Sequence, residues 1–393
     1  MGRRLVTYDS VTITGSVIGL FSLLLNWFAL KPNRIAAGEP LNLWEGVGWG
    51  LAVGILCLWF FCFALGLTGR VRTQAAILGI AANLILVSTF ALAGVASSTL
   101  IEDQGPLARI SLGGGFWVTI VAAYILVFAA RQRLDSQRAL RHLVSWVGLA
   151  IVGVILISGW LNDLAIIQEF TSRGERFRQE LFQHILLFGG SVAIGTMLGV
   201  PLGIWATRSI RAERPIFFIA NITQTIPSLA LFGLLIAPLS ALSLAFPILR
   251  EFGIRGVGAT PAMIALIIYS LLPIVLNTYV ALRRLDAAVI DAGLGMGMSR
   301  RQVFRRIEVP LAAPLVVEGV RTASVQAVGN TTVAALIGAG GLGHFIFQGL
   351  GEAAPDLIIA GAIPIIILAL VVDAAMRTLV RVVTPRGVMG GTK

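Results

Sequence analysis

Gly338 to Gly343 read G-x-G-x-x-G, the spacing with which a glycine-rich turn holds a dinucleotide pyrophosphate at the start of a helix. That chemistry requires a soluble βαβ unit, whereas here the motif ends a long apolar run. We therefore predict a tight turn in which glycine supplies backbone freedom. ATP hydrolysis would need a phosphate loop ending in Gly-Lys-Ser/Thr, and neither Lys31 nor Lys393 follows one. The sequence thus predicts no ATPase site in this chain.

The other reactive side chains form no constellation that would support catalysis or bind a metal. His142, His184 and His344 are scattered over different segments without metal-ligand spacing. Cys57 and Cys62 lie within one apolar run, which favours a packing role over a disulfide or a metal pair. We predict no catalytic residue, no cofactor-binding residue and no metal site.

Two acids interrupt otherwise apolar runs, and each has an arginine one helical turn away. Glu318 precedes Arg321 by three residues, and Asp373 precedes Arg377 by four. Acids at mid-membrane usually mark proton or ion pathways. Here the spacing favours local ion pairs on one helix face, because residues three or four apart are neighbours there.

The composition is that of a polytopic membrane protein. Hydrophobic residues make up 57% of the 393 residues, charged residues only 12%, and the mean hydropathy is +0.89. Soluble domains carry about 25% charged residues. We predict an all-α protein with about ten transmembrane helices, from the apolar runs at 11–30, 47–67, 75–96, 114–130, 143–161, 184–206, 215–238, 259–281, 314–338 and 357–380.

The net charge of +11 reports orientation rather than a nucleic-acid partner. With the N-terminus in the cytoplasm, alternation of ten spans puts 21 cations in inside segments and 8 in outside segments. This asymmetry follows the positive-inside rule. It predicts that both termini are cytoplasmic. The outside cations are Lys31, Arg34, Arg109, Arg173, Arg176, Arg178, Arg250 and Arg255.

The chain divides into two halves of five spans each. We predict an N-terminal region at 1–175, a transport core at 176–382 and a cytoplasmic tail at 383–393. Small residues recur every fourth position in each half, which allows close helix approach within the bundle or against a partner subunit. These are Gly46, Gly50 and Gly54, and Gly195, Gly199 and Gly203.

The connection at 282–313 is the longest on the predicted cytoplasmic side, and it is charged and glycine-containing. Its apolar side chains can form one face of a short amphipathic helix. Such a helix could dock in a groove of a partner protein with its apolar residues as anchors, or it could be a surface helix without a partner. The apolar residues are Met298, Val303, Phe304 and Ile307.

The same segment resembles the EAA signature of binding-protein-dependent ABC importer permeases. In that family the signature reads acid-Ala-Ala, then Gly after three residues, then Ile-x-Leu-Pro after nine more. This chain has Asp for Glu, Gly for the second Ala and Val for Leu. The resemblance implies that the loop couples the permease to a separate ATPase subunit, through the matching residues Asp291, Ala292, Gly293, Gly297, Ile307 and Pro310.

Further segments of the core are similar to permeases of the osmoprotectant group, which import glycine betaine, choline, carnitine and related quaternary amines. The additional five N-terminal spans and the segment Lys31–Arg34 are similar to a longer, YehY/YehW-like subset. The core segments are Gln224–Ala230, Tyr269–Ile274, Asn277–Tyr279, Ile337–Gly343 and Gly361–Pro364.

The resemblance implies a five-helix type I ABC permease core in an inner-membrane protein. The expected partners are ABC ATPase subunits that bind ATP and Mg²⁺, a second permease and an extracytoplasmic substrate-binding protein. A secondary carrier or channel, or a non-transporting membrane scaffold, remains the alternative. Gln224, Thr225, Pro227 and Ser228 are expected to line or gate the path, since proline breaks the helix there and polar neighbours can satisfy the freed backbone groups; a structural kink without solute contact is the alternative.

Overall fold

The computed structural model describes residues 8–34, 36–68, 72–102, 104–105 and 107–385. Five of the cations counted as cytoplasmic, and most of the predicted tail, lie outside these residues; the five are Arg3, Arg4, Arg70, Arg386 and Lys393. Internal contacts divide the chain into two compact units. Unit 1 comprises Met1–Ser172 and Glu352–Asp356, and unit 2 comprises Arg173–Gly351 and Leu357–Lys393.

Unit 1 combines helices with a small antiparallel sheet whose strand order is β2-β1-β3. Its elements in chain order are α1 (Ser10–Ser22), β1 (Phe28–Lys31), β2 (Glu39–Leu41), α2 (Leu43–Val47), α3 (Trp49–Leu67), α4 (Arg72–Ile101), β3 (Arg109–Leu112), α5 (Gly114–Arg133), α6 (Arg138–Ile157) and α7 (Ala165–Ser172).

The sheet corrects the prediction that the first apolar run, 11–30, is a single span. The helix ends at Ser22, and Phe28 then pairs with Leu41 on one side and Leu112 on the other. Trp27 and Phe28 are fully buried, and the Trp27 indole donates to the Ser22 carbonyl at 3.0 Å. The apolar side chains at the end of this run therefore pack in the protein core of unit 1.

Unit 2 is entirely helical over its described residues. Its elements are α8 (Gly174–Arg208), α9 (Ile210–Thr225), α10 (Ser228–Ala245), α11 (Ile248–Glu251), α12 (Ala259–Arg283), α13 (Ala287–Gly295), α14 (Arg300–Val303), a π-helical turn (Phe304–Glu308), α15 (Val309–Ala334), a 3-10 turn (Ala335–Ile337), α16 (Gly343–Gly351) and α17 (Pro355–Val383), whose first two residues belong to unit 1.

The glycine stripe on α8 packs against α12, as the spacing predicts. A Cβ at Gly203 would lie 2.6 Å from the Cβ of Thr278, and one at Gly199 would lie 2.9 Å from Ile274 Cγ2. The helix backbones approach closely because these positions lack side chains. By contrast, Gly50 and Gly54 of α3 have open space at their Cβ positions.

Eight helices of the described residues are long and apolar enough to cross a membrane. The predicted run 215–238 is instead two helices, because α9 ends at Thr225 and α10 begins at Ser228. The predicted run 314–338 corresponds to α15, which is 26 residues long but carries Glu318 and Arg321 and falls outside the eight. The chain is an all-α polytopic membrane protein apart from the small sheet.

Buried ion pairs in unit 1 hold the segment Glu352–Asp356. Lys31 at the end of β1 donates to Asp356 at 3.0 Å, and Ser111 of β3 donates to the same carboxylate oxygen at 2.5 Å. The Lys31 and Asp356 side chains are only 9% and 10% exposed. Arg34 bonds Glu352 at 2.6 Å. The strand edges therefore supply the charges that satisfy these acids.

We expect Lys31→Met to destabilise unit 1 by about 3 kcal/mol, because the Asp356 carboxylate would remain buried without its cation. Unfolding of purified protein in detergent, followed by tryptophan fluorescence, measures the loss. The double variant Lys31→Met with Asp356→Leu is the control, and it should recover most of the stability because no buried charge remains. Equal stability of Lys31→Met and wild type would contradict the role of the pair.

Candidate functional site

The predicted coupling segment is not an open loop but two short helices joined by a glycine hinge. Helix α13 begins after Asp286, whose carboxylate accepts from Ala288 N at 2.9 Å. Helix α14 begins after Ser299, which forms a capping box with Gln302. Asp291 therefore caps neither helix; it lies inside α13, exposed and without a bonded partner among the described residues.

Gly297 forms the hinge, in a left-handed conformation with φ of +84°. Gly297 N donates to Leu294 O at 2.9 Å, and Met298 N donates to Gly293 O at 3.2 Å. This pair of bonds is the Schellman motif that ends helices at glycine. A Cβ at Gly297 would meet no atom within 4 Å, so the chain itself needs glycine here for backbone conformation alone.

The apolar residues of the segment pack inward rather than outward. A Cβ at Gly293 would lie 2.7 Å from Ile307 Cδ1 and 3.4 Å from Val303 Cγ2. Val303 is buried, and Met298 and Phe304 are half-buried. Ile307, Val303 and Met298 thus surround Gly293 and close the corner between α13 and α14. Their role as anchors in a partner's groove stays a prediction.

Met296 is the apolar side chain of this segment that is most exposed among its described residues. Met296, immediately before the hinge, is 77% exposed, in contrast to the residues that close the corner. Its place between Gly295 and Gly297 is the signal in the sequence that could have identified it, since a helix C-cap projects from the chain at such a turn. Asp291, five residues earlier on α13, is also exposed, and we refer to Asp291 and Met296 as the exposed tip of the segment.

Pro310 continues a helix instead of redirecting the chain. A residue before proline usually avoids the helical region, but Val309 is helical, with φ of −61° and ψ of −49°. The preceding turn, Phe304–Glu308, is π-helical, and Val309 N donates to Phe304 O. A π turn shifts the hydrogen bonds by one residue, and proline near a helix start needs no donor. Helices α14 and α15 are thus continuous.

An ion pair connects this π turn to α8. Arg208, the last residue of α8, bonds Glu308, and its guanidinium lies 5.6 Å from the centre of the Phe304 ring. Glu308 is buried. Sequence reasoning missed this contact because the two residues are a hundred positions apart and neither belongs to the matched motif.

Residues 224–228, which are predicted to line the solute path, interrupt the helical structure between α9 and α10, where Ile226 and Pro227 are extended. The carbonyl of Tyr269 on α12 lacks its helical donor because Pro273 has no N–H, and Gln224 Nε2 donates to it at 2.7 Å. In return, the Tyr269 hydroxyl donates to the freed Ile226 carbonyl at 2.5 Å.

The break between α9 and α10 and the Pro273 position of α12 thereby supply each other's missing hydrogen bonds. Thr225 is exposed, and its hydroxyl bonds the Ile222 carbonyl of its own helix at 2.7 Å. Pro227 is exposed and Ser228, at the start of α10, is half-buried. The donor to the Ile226 carbonyl is thus Tyr269, which lies outside the segment named from the sequence. That Gln224, Thr225, Pro227 and Ser228 line or gate the path stays a prediction.

The G-x-G-x-x-G segment is a tight turn, as predicted. Gly338, Gly340 and Gly341 all have φ between +74° and +92°. The Gly341 amide donates to Glu180 Oε2 of α8 at 2.7 Å, and the Leu342 amide donates to His184 Nδ1 at 3.2 Å. Because these side chains occupy the amides, the turn is a contact with α8 rather than a phosphate cradle.

The predicted local ion pairs are confirmed. Arg321 bonds Glu318 at 2.9 Å, and Arg377 bonds Asp373 at 2.9 Å. Arg321 also bonds Asp373 at 2.6 Å, which joins α15 to α17, and this long-range contact was not predicted.

Comparison with known proteins identifies the family. Residues 199–386 match the family described as the binding-protein-dependent transport system inner membrane component, and residues 8–167 match the N-terminal domain of ABC transporter permease YehY. A choline transport system permease of Bacillus subtilis, OpuBB, is 38% identical over 222 residues, which are 56% of this chain and 95% of the relative. The chain is a binding-protein-dependent ABC transporter permease.

Two other relatives carry related names. The glycine betaine/carnitine/choline transport system permease OpuCB of Bacillus subtilis is 37% identical over 208 residues, covering 53% of this chain and 88% of the relative. The osmoprotectant import permease OsmW of Salmonella typhimurium is 40% identical over 207 residues, covering 53% and 91%. All three relatives correspond to little more than half of the permease described here.

We expect Gln224→Met to destabilise the permease by about 1–3 kcal/mol, because the Tyr269 carbonyl would be left without a donor in an apolar environment. Thr225→Val is the matched control, since its hydroxyl bonds only its own exposed helix, and it should stay within about 0.5 kcal/mol of wild type. Thermal unfolding in detergent checks both. If the two variants unfold together, Gln224 does not hold the break.

Proposed function

We propose that this permease translocates an osmoprotectant, of the glycine betaine, choline or related quaternary-amine class, energised by ABC ATPase subunits that are separate chains. The observation that carries the proposal is the hinge at Gly297, which presents Asp291 and Met296 at an exposed tip. The names of the three relatives support the solute class. ATP and Mg²⁺ would bind on the ATPase subunits, and this chain would supply no catalytic residue.

The tip has the features of a docking element. Met296 is an unbranched side chain that can fill an irregular groove, and the Asp291 carboxylate is available to a basic partner residue. Helices α13 and α14 are each capped, and their shared corner is filled by Ile307 and Val303, so the two move as one piece. A displacement of the tip by the ATPase would therefore be delivered to α15, because α14 continues into it.

The Arg208–Glu308 pair extends this connection. It joins the end of α8 to the π turn that precedes α15, so a movement of the coupling segment would reach both helices. The buried carboxylate of Glu308 makes the link selective for a cation at Arg208, since a buried charge without a partner is costly.

The solute path would follow the break between α9 and α10, near the exposed residues Thr225 and Pro227. A quaternary ammonium cannot lose its charge by deprotonation, so tight binding would need acids or aromatic faces. The acids of α15 and α17, Glu318 and Asp373, are already paired with arginines. A permease of this kind offers a weak, transient path, and selectivity would reside in the binding protein.

The assembly would contain a second permease chain, either a copy or a paralogue, and an extracytoplasmic binding protein that delivers the solute. This chain would lie in the inner membrane with both of its termini in the cytoplasm, as the distribution of cations indicates. The five-helix core at 176–382 would enclose the path, and the region 1–175 would be specific to the longer permeases.

We expect Met296→Asp and Gly297→Trp to abolish uptake while leaving the permease in the membrane. Met296→Asp changes the exposed tip, and Gly297→Trp strains the left-handed hinge without a side-chain clash. Recovery of the ATPase subunit on pull-down should fall at least about tenfold. Ile210→Asp is the matched control: Ile210 is an exposed apolar residue, 71% accessible, at another predicted cytoplasmic connection.

The pattern across both assays is informative. Wild-type uptake in Gly297→Trp would contradict the coupling role. Uptake that persists in cells lacking the ATPase gene would indicate a secondary carrier or channel instead.

We expect cells that carry the full gene set to take up labelled glycine betaine or choline only when this chain is present. The reason is that the relatives of the core are named for these solutes. Uptake assays with and without the gene, in medium of high osmolarity, measure this. If only an anion or a polar amino acid entered the cells, the solute class would be wrong while the importer role would stand.

A further inference from the structure

The outside cations of this chain divide into two groups. Because cations are depleted outside, those that remain need an explanation. Six of the eight have polar partners within their own unit: Lys31 bonds Asp356, Arg34 and Arg109 bond Glu169, Arg176 bonds Glu180, Arg178 bonds Glu175 and Arg173 bonds Gln348. Arg250 and Arg255 have no such partner among the residues that the structure describes, and both are exposed.

Both of these arginines line one depression of about 680 Å³ in unit 2. It lies at the connection between α10 and α12, and its other walls include Ser240, Gly258 and Gly338 of the glycine turn. Two arginines without an ion-pair partner among the described residues thus line a single depression, on the side that the charge distribution assigns to the exterior.

The depression is held by specific contacts. Gly258 N donates to Ile337 O at 2.8 Å, which ties the connection to the glycine turn. Ile254 N donates to Leu249 O at 2.9 Å. A Cβ at Gly256 would lie 2.6 Å from the Ile236 carbonyl oxygen, so the connection packs tightly on α10. The arginines therefore project from a fixed backbone.

We propose that this depression, the Arg250–Arg255 surface, docks acidic side chains of the extracytoplasmic binding protein. The inference rests on the proposed function and adds the surface and its charge. Two cations without a bonded acid complement carboxylates on a partner, which accelerates encounter and fixes orientation. A quaternary-amine solute would be repelled here, since none of the described residues that line the depression is aromatic and able to offset the arginines.

The test measures the affinity of the binding protein that supports uptake for the permease–ATPase complex in lipid nanodiscs. We expect Arg250→Glu and Arg255→Glu each to raise its Kd at least about tenfold. Arg250→Lys and Arg255→Lys should stay within about threefold, because the charge remains. Arg178→Glu is the matched control with the same charge change, at an exposed arginine that already has a partner in Glu175.

Salt dependence provides a measurement without any substitution. Wild-type affinity should fall between about 50 and about 300 mM NaCl, because the contact is between solvent-exposed charges. The ratio of the Kd values of Arg255→Glu and wild type should decrease over the same range of salt concentration. Basal ATP hydrolysis should be unchanged in all variants, which confirms that the complex is intact. An affinity independent of salt would contradict the proposal.

Two other results would overturn it. Equal affinity in Arg250→Glu, Arg255→Glu and wild type would show that the binding protein docks elsewhere. If the arginine variants lost affinity for the binding protein only in bilayers containing phosphatidylglycerol, and not in phosphatidylcholine alone, the occupant would be an anionic lipid headgroup. Failure of the wild-type complex to import solute or to retain the ATPase would instead contradict the proposed function.

Discussion

The exchange of hydrogen bonds between Gln224, Tyr269 and Ile226 is the contact on which the transport core depends most. In an apolar environment each unsatisfied backbone group is costly, so an irregular backbone persists only where another element supplies partners. Pro273 removes one donor from α12, and the extended Ile226 and Pro227 free a carbonyl between α9 and α10. Each irregularity provides what the other lacks, and both are therefore maintained together.

Glycines determine the structure of the predicted coupling segment. Its glycines act in two physically different ways: Gly297 adopts a backbone conformation that other residues avoid, while Gly293 leaves room for Ile307. The result is a compact helical corner whose apolar residues are turned inward. Such a corner can transmit displacement because packed interiors are not continuously deformable. In the proposed coupling role the exposed tip would bind the ATPase subunit, and the Arg208–Glu308 ion pair would connect the corner to α8.

Charge is distributed with similar consistency. Within unit 1 the acids Glu169, Glu352 and Asp356 are satisfied by cations from the sheet and its flanks. Within unit 2 Arg321 holds Glu318 and Asp373. Against this background of paired ions, Arg250 and Arg255 are informative because, among the described residues, neither has an acid within ion-pair distance.

The sequence by itself determined the class of protein, the resemblance of residues 291–310 to the EAA signature and the local ion pairs, because composition and short spacings are local properties of the chain. Glu318 and Arg321 could be paired from their spacing, and the glycine turn from its residue types. The sheet around Trp27, the inward packing of Ile307, the Gln224–Tyr269 exchange and the Arg208–Glu308 pair needed the tertiary structure. Each of these joins residues from distant parts of the chain or places an apolar side chain on an unexpected face, and hydrophobicity alone does not distinguish a residue that faces lipid from one that faces protein.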